Sequence, residues 1–290
     1  MRVLRSALLA AFWLLAAACQ PAPPPDPALW RIADADSEIW LFGSVHVLSP
    51  QLNWRSERVN AAFAAAEEFV TETEIGPESE YAALAARYGA LPPGQTLSGR
   101  IGPEQAARLA RTARSLGIDP AALESQRPWL TALQLSYAAL AQAGQNPDAG
   151  VEAVLSAEAR AQGKSLSYLE TPEQQVRVLA DLPPEEEERF LSITLREIEQ
   201  GDASARNMDR AWVSGDTAAL QRQLDEQWAE AGPVFHAALI VDRNRAWADE
   251  IEQRLAGSGR IFIAVGAAHL LGDDSVVAML RARGIDVEGP

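Results

Sequence analysis

Two of the three histidines in this 290-residue chain stand three residues after a glycine that closes an apolar run: Phe42-Gly43-Ser44-Val45-His46 and Val265-Gly266-Ala267-Ala268-His269. A glycine in that place lets the backbone turn sharply off a strand end, and the histidine lands at the mouth of the sheet. There an imidazole can bind a metal or shuttle a proton. Two such turns on neighbouring strands would set two imidazoles side by side. One Gly-x-x-His alone is a weak signal and more often marks a structural histidine; the pair at equivalent positions favours function. The third histidine, His236, lies in a helical stretch without a matching partner and reads as structural.

Carboxylates join them at strand ends. Phe69-Val70-Thr71-Glu72-Thr73-Glu74-Ile75 alternates and is rich in β-branched residues, a strand with Val70, Glu72 and Glu74 on one face. Leu166-Ser167-Tyr168-Leu169-Glu170 is another short strand. It is followed by a capping box, Thr171 with Gln174, with Pro172 at the first helical position. His46, Glu72, Glu170 and His269 therefore fall at or near the ends of four strands. Such a mixed nitrogen and oxygen set suits Zn, Mn, Fe or Co better than Ca or Cu(I), with room for water. Glu72 has a second reading as the partner of an arginine, and Glu74 reads as exposed or as standing behind Glu72. The run Glu185 to Glu188 reads as a solvated helix N-terminus. Arg243-Asn244-Arg245 is mid-helix, where surface pairing is the plain explanation, and Trp129, Trp212 and Trp247 read as packing residues.

These groups need a frame. Residues 38–43 and 260–265 are apolar runs of buried-strand type, and residues 285–287 read as a last short strand. Helical patterns cover a stretch through Ala66, residues 103–117, 128–143, 150–162, several segments within 183–257, and 273–283. The expected fold is α/β: a mixed, largely parallel central sheet flanked by helices, with a long helical insertion at about residues 77–165. Ligands of such sheets bind outside the carboxyl ends of the strands.

The composition sets outer bounds. With 48 % hydrophobic residues the chain can bury a sizeable core, and a net charge of −15 leaves no basic stripe for nucleic acid. Arg2 and Arg5 precede an apolar run at residues 7–18, too short to span a bilayer, and then Cys19, the chain's single cysteine. This resembles the lipobox of bacterial lipoproteins. Residues 1–19 read as a signal peptide with Cys19 lipidated, 20–28 as a Pro-rich spacer in polyproline II geometry, and 29–290 as the folded domain. The expected address is the periplasmic face of the envelope, anchored to a membrane by an N-terminal lipid, with Gln20 pointing to the outer membrane. Secretion to the periplasm after Ala18 or Ala22 is the other route. With Cys19 lipidated, thiolate catalysis and disulfides in the domain are excluded.

Both Gly-x-x-His turns, Val70-Thr71-Glu72, Tyr168-Leu169-Glu170-Thr171 followed by Glu173-Gln174, Arg243-Asn244, and Leu270 with Gly272 resemble the TraB/GumN family, which includes the Tiki metalloproteases. The resemblance covers about residues 28–288, and Arg127-Pro128-Trp129, Ala211-Trp212 and Gly215-Asp216 also look like the family's pattern. Thr71 and Glu74 depart from it, where the family usually shows an aliphatic residue and often an aspartate. The resemblance implies a fold like that of the erythromycin-esterase and ChaN-like proteins, a divalent metal such as Mn or Co, and, for the Tiki branch, peptide-bond cleavage in a secreted substrate. It implies His46, Glu72 and His269 as the metal and catalytic set, on turns made by Gly43 and Gly266. Glu170 is a further catalytic candidate, with Arg243 and Asn244 as supporting polar groups.

The functional expectation is an envelope-anchored, metal-dependent hydrolase of peptidase type that uses Mn, Co or Zn on a peptide or protein substrate. In it Glu72 or Glu170 takes the proton of a metal-bound water, and Arg243 stabilises the oxyanion. The rival is a non-catalytic metal- or haem-binding lipoprotein, or an accessory factor in envelope polysaccharide assembly.

Overall fold

A computed structural model describes residues 24–74, 78–201 and 203–290. The expected signal peptide, Cys19, Gln20 and the strand end at Ile75 lie outside the described residues. Among these, five strands form one sheet: β1 (Leu29–Ala33), β2 (Ser37–Ser44), β3 (Glu68–Thr73), β4 (Ser165–Glu170) and β5 (Gly259–Gly266), in the order β1-β2-β5-β3-β4. β1 and β2 form an antiparallel hairpin, and β2, β5, β3 and β4 run parallel. The fold is therefore α/β with a mixed, mostly parallel sheet, as the alternation of strand and helix patterns implies. β1 is an addition to the sequence reading, whereas residues 285–287 are no strand. After the turn at Gly284 the chain makes one isolated bridge, Glu288 to Arg31 on the edge strand.

Helices cover both faces. On one, Trp40, Phe42, Phe69 and Phe262 pack with Phe63 of α1 (Glu57–Ala65), which Ser56 caps by accepting from the Val59 N–H. The expected helical stretch before Ala66 thus begins only at Glu57. Four helices separate β3 from β4: α2 (Glu78–Gly89), α3 (Leu97–Ser115, bent at Gly102, where φ is 79°), α4 (Pro128–Gln142) and α5 (Val151–Ala161). Of these, α5 lies on the sheet through Val151, Leu155 and Ala159. Beyond β4 come α6 (Pro172–Ala180), α7 (Pro184–Gln200), α8 (Ala203–Val213) and α9 (Thr217–Ala231). α3 and α4 form their own core with α7, from Leu97, Leu109, Leu135, Leu191 and Leu195.

Beside that second core one expectation is corrected. Glu187 is not solvated: only 1 % exposed, it accepts from Arg127, whose guanidinium also donates to the carbonyls of Tyr88 and Ala180. A carboxylate can be buried there because a charged donor meets it. The Pro-rich spacer packs at its end, with Pro27 and Ala28 buried and the Asp26 N–H bonded to the Val213 carbonyl at 2.9 Å.

The opposite face of the sheet carries Ile39, Leu41, Val70, Ile261, Ile263 and Val265. A helical run crosses it: α10 (Pro233–His236), a π-helical turn (Ala237–Val241) and α11 (Asp242–Leu255). α12 (Val276–Ala282) packs beside α11. The parallel register pairs Gly43 with Val265 and Ser44 with Gly266, so the two Gly-x-x-His turns leave adjacent strands one residue apart in register.

Candidate functional site

Each histidine is held by its own partner. His269 ends a short 3-10 turn after Gly266, and its Nδ1 lies 2.6 Å from Asn244 Oδ1. The Asn244 amide donates to the Asp274 carbonyl at 2.7 Å, which aims its oxygen at the ring. Nδ1 therefore carries the proton, and Nε2 presents a lone pair. The ring packs on Trp247 at 4.3 Å between centroids. His46 follows β2, with Nδ1 2.7 Å from Glu152 Oε1 in the first turn of α5.

Between the two rings stands Glu72, at the end of β3. Its Oε1 accepts the Gly266 N–H at 2.7 Å and lies 3.8 Å from His46 Nε2 and 3.9 Å from His269 Nε2. Its Oε2 accepts from Arg243 Nη2 at 2.7 Å, with Gln175 Nε2 at 3.4 Å. Arg243 also meets Glu170 with two bonds, Nε to Oε1 at 2.8 Å and Nη2 to Oε2 at 2.9 Å, and lies 3.1 Å through Nη1 from His269 Nε2. Trp247 Nε1 donates to Glu170 Oε1 at 3.1 Å. The π-helical turn just before Asp242 shifts the phase of the helix, and Arg243 Nη1 bonds the Leu239 carbonyl within it at 3.2 Å. Such π-turns recur at functional sites.

Charge differs sharply across this cluster. The Glu152 carboxylate raises His46, up to about 10, although with 55 % of its side chain exposed water screens that pull. Burial pushes His269 down to about 3. Burial alone would raise Glu72, but the charges around it, His46 and Arg243 among them, and the Gly266 N–H hold it well below the carboxylate range.

The structure thus gathers His46, Glu72 and His269, and links Glu170 to them through Arg243. Glu74 is exposed, and His236 packs against Trp228 away from the site. The Arg243-Asn244 pair is no surface pairing, and Trp247 does more than pack: it donates to Glu170 and supports His269. Sequence reading missed Glu152, Ser44 and Gln175. One signal for Glu152 existed: it lies beside the apolar stripe Val151, Leu155, Ala159 on a helix that packs on the sheet.

Among the described residues no three His, Cys, Asp or Glu side chains form a group that could hold a metal ion. The nearest set is His46, Glu72 and His269, whose 3.8 and 3.9 Å separations are wider than the roughly 3.4 Å that ligands span around an ion with bonds of about 2.1 Å. The donor chemistry nevertheless fits. A Cβ on Gly266 would lie 3.2 Å from Glu72 Oε1, 3.4 Å from His46 Nε2 and 3.6 Å from His269 Cδ2, so two donor atoms and the edge of the His269 ring line the space that this glycine leaves free. Each imidazole is oriented at Nδ1 by an acceptor, as metal-binding histidines usually are.

Comparison with known proteins places the chain in a lineage. It is similar to the uncharacterized protein YbaP of Escherichia coli strain K12, 25 % identical over 255 residues that cover 88 % of this chain and 92 % of that protein. It is also similar to YbaP of Shigella flexneri, 25 % identical over 241 residues that cover 83 % and 87 %. No solved structure matches the chain. The model of the TraB/PrgY/gumN family matches residues 28–289, which contain both Gly-x-x-His turns, Glu72, Glu170 and Arg243-Asn244, and the chain belongs to that family.

Proposed function

We propose that this protein is an envelope-anchored, metal-dependent hydrolase of peptidase type, with His46, His269 and Glu72 as the ligands of a Mn, Co or Zn ion. The observation that carries the reading is the approach of two imidazole Nε2 atoms, His46 at 3.8 Å and His269 at 3.9 Å, to one carboxylate oxygen, Glu72 Oε1. A divalent ion there would polarise a substrate carbonyl and lower the pKa of a bound water. Glu72, held ionised by its neighbours, suits ligation rather than proton uptake. Both oxygens of Glu170 are bonded by Arg243 and Trp247, so in this reading Glu170 orients the guanidinium instead of acting as a base. Arg243, already beside His269 Nε2 and Glu72 Oε2, is the positive group nearest to a developing oxyanion. Asn244 and Glu152 hold the two rings. His46 must give up a proton to take an ion, so binding releases protons. The envelope address rests on Arg2, Arg5, the apolar run and Cys19.

The test measures bound metal in the full-length protein after reconstitution with Mn, Co and Zn, beside His46→Ala and His269→Ala. It then follows cleavage of a peptide library with and without chelator. The expected result is near-stoichiometric ion, lost in both variants, and cleavage that the chelator stops. A wild-type protein that binds no ion more tightly than the variants would overturn the proposal.

A further inference from the structure

His46 is the exposed member of the pair, and an exposed imidazole is ordinarily free to change rotamer. Here the N-terminal end of α5 grips its turn. The Val151 N–H donates to the Val45 carbonyl at 3.1 Å, and Asn146 and Leu48 exchange two backbone bonds. Gly150 approaches so closely that a Cβ there would collide with the His46 carbonyl. The same helix brings in Glu152, only 6 % exposed, whose Oε1 receives both His46 Nδ1 and the Ser44 hydroxyl. Its other oxygen, Oε2, is buried with no hydrogen-bond partner among the described residues. A buried carboxylate oxygen left unpaired is costly to keep, so packing alone would favour an apolar residue at this position.

We infer that Glu152 is a positioning residue: with Ser44 it fixes the His46 ring so that Nε2 faces Glu72 across the space above Gly266. It is the counterpart of Asn244 at His269, supplied by a different helix on the other face of the sheet. The inference rests on the proposed function in one respect, that His46 serves a bound ion; the orientation of the ring is independent of it.

The experiment uses the full chain with Glu152→Ala, the volume-preserving Glu152→Gln, and Ser44→Ala. Ion-free protein with isotope-labelled histidine is read by NMR, with His46 assigned from the signals lost in His46→Gln, and Mn2+ affinity is measured by titration. In wild type the His46 ring should give one set of resonances with a strongly hydrogen-bonded Nδ1 proton. Glu152→Ala should average the ring signals and weaken Mn2+ binding by about 10- to 100-fold. Glu152→Gln still offers an acceptor oxygen, so it should keep one ring orientation and rescue most of the affinity. Ring signals unchanged in both Glu152 variants would overturn the positioning role. If wild type binds no Mn2+, Co2+ or Zn2+, the hydrolase reading falls, and the ion-free ring signals alone decide whether Glu152 positions His46.

Discussion

Gly43 to His46 and Gly266 to His269 leave neighbouring strands at the same end of the sheet, one residue apart in register, yet the two histidines live in opposite surroundings. His269 is 4 % exposed, packed against Trp247 and bonded to a neutral amide, while His46 stands at the open side and is bonded to a carboxylate. The cause is what packs outside each turn. α11 lays Arg243, Asn244 and Trp247 over His269, whereas α5 reaches His46 mainly with one side chain and its backbone. A shared spacing therefore sets where an imidazole stands, and the helix that covers it decides whether it is proton-poor or proton-rich.

Removing the rings should separate the two turns most strongly. His269→Ala leaves a cavity beside Trp247 and strips Asn244 Oδ1 of its donor, which should cost about 3 kcal/mol in urea unfolding of the ion-free protein. His46→Ala, at an exposed position, leaves no comparable cavity but strips the buried Glu152 of a donor, which should cost about 1–2 kcal/mol, less than His269→Ala. Equal losses would mean that both turns are structural in the same degree.

Acid and base should act on them in opposite senses. The folded pKa of His269 lies near 3, below the unfolded 6.5, so its contribution is present above pH 6.5 and is lost as pH falls toward 3. That of His46 lies near 10, so its contribution is full below pH 6.5 and is lost as pH rises through 10. In melting curves, His269→Gln should flatten the acid-side loss of Tm. His46→Gln should flatten the alkaline side, more weakly because solvent screens the Glu152 pair. A flattening on the same side for both would contradict the assigned environments.

Much of this is legible in the sequence. The apolar runs ending at Gly43 and Gly266 announce buried parallel strands, and the alternation at Glu72 marks which face it shares with Val70. The capping box at Thr171 is present as spelled, with Gln174 bonded back to the Thr171 N–H. What could not be read depends on contacts between distant segments. Arg243 lies 171 residues from Glu72, and nothing local to either residue distinguishes their bond from a surface ion pair. The burial of Glu187 depends on Arg127, 60 residues away. β1 was missed because its five residues pair only as an edge hairpin with β2.

The two glycines offer a smaller contrast. A Cβ at Gly43 would press on Ala267 Cα and Cβ, each at 3.2 Å, so Gly43→Ala should cost about 1–2 kcal/mol by overpacking. A Cβ at Gly266 instead enters the space between Glu72 and His46. Gly266→Ala should weaken Mn2+ binding by at least about 10-fold while stability changes less than in Gly43→Ala. Titration and urea unfolding of both variants check this, and an unchanged affinity in Gly266→Ala would place the ion elsewhere.

The smallest effect concerns what Trp247 contributes beyond its area. Its ring supports His269 at 4.3 Å and lies 4.6 Å from the Arg243 guanidinium carbon, contacts that a phenyl ring largely reproduces. Only the indole N–H reaches Glu170, at 3.1 Å, and Glu170 keeps its two bonds from Arg243 without it. Trp247→Phe should therefore cost about 1 kcal/mol in urea unfolding, the net value of one hydrogen bond to a charged group that remains otherwise paired, and leave Mn2+ affinity within about 3-fold of wild type. A larger loss of affinity would show that the indole N–H sets the orientation of Glu170, and through it the guanidinium beside His269. The covered histidine would then depend on a chain of three side chains, where the open one depends on a single carboxylate.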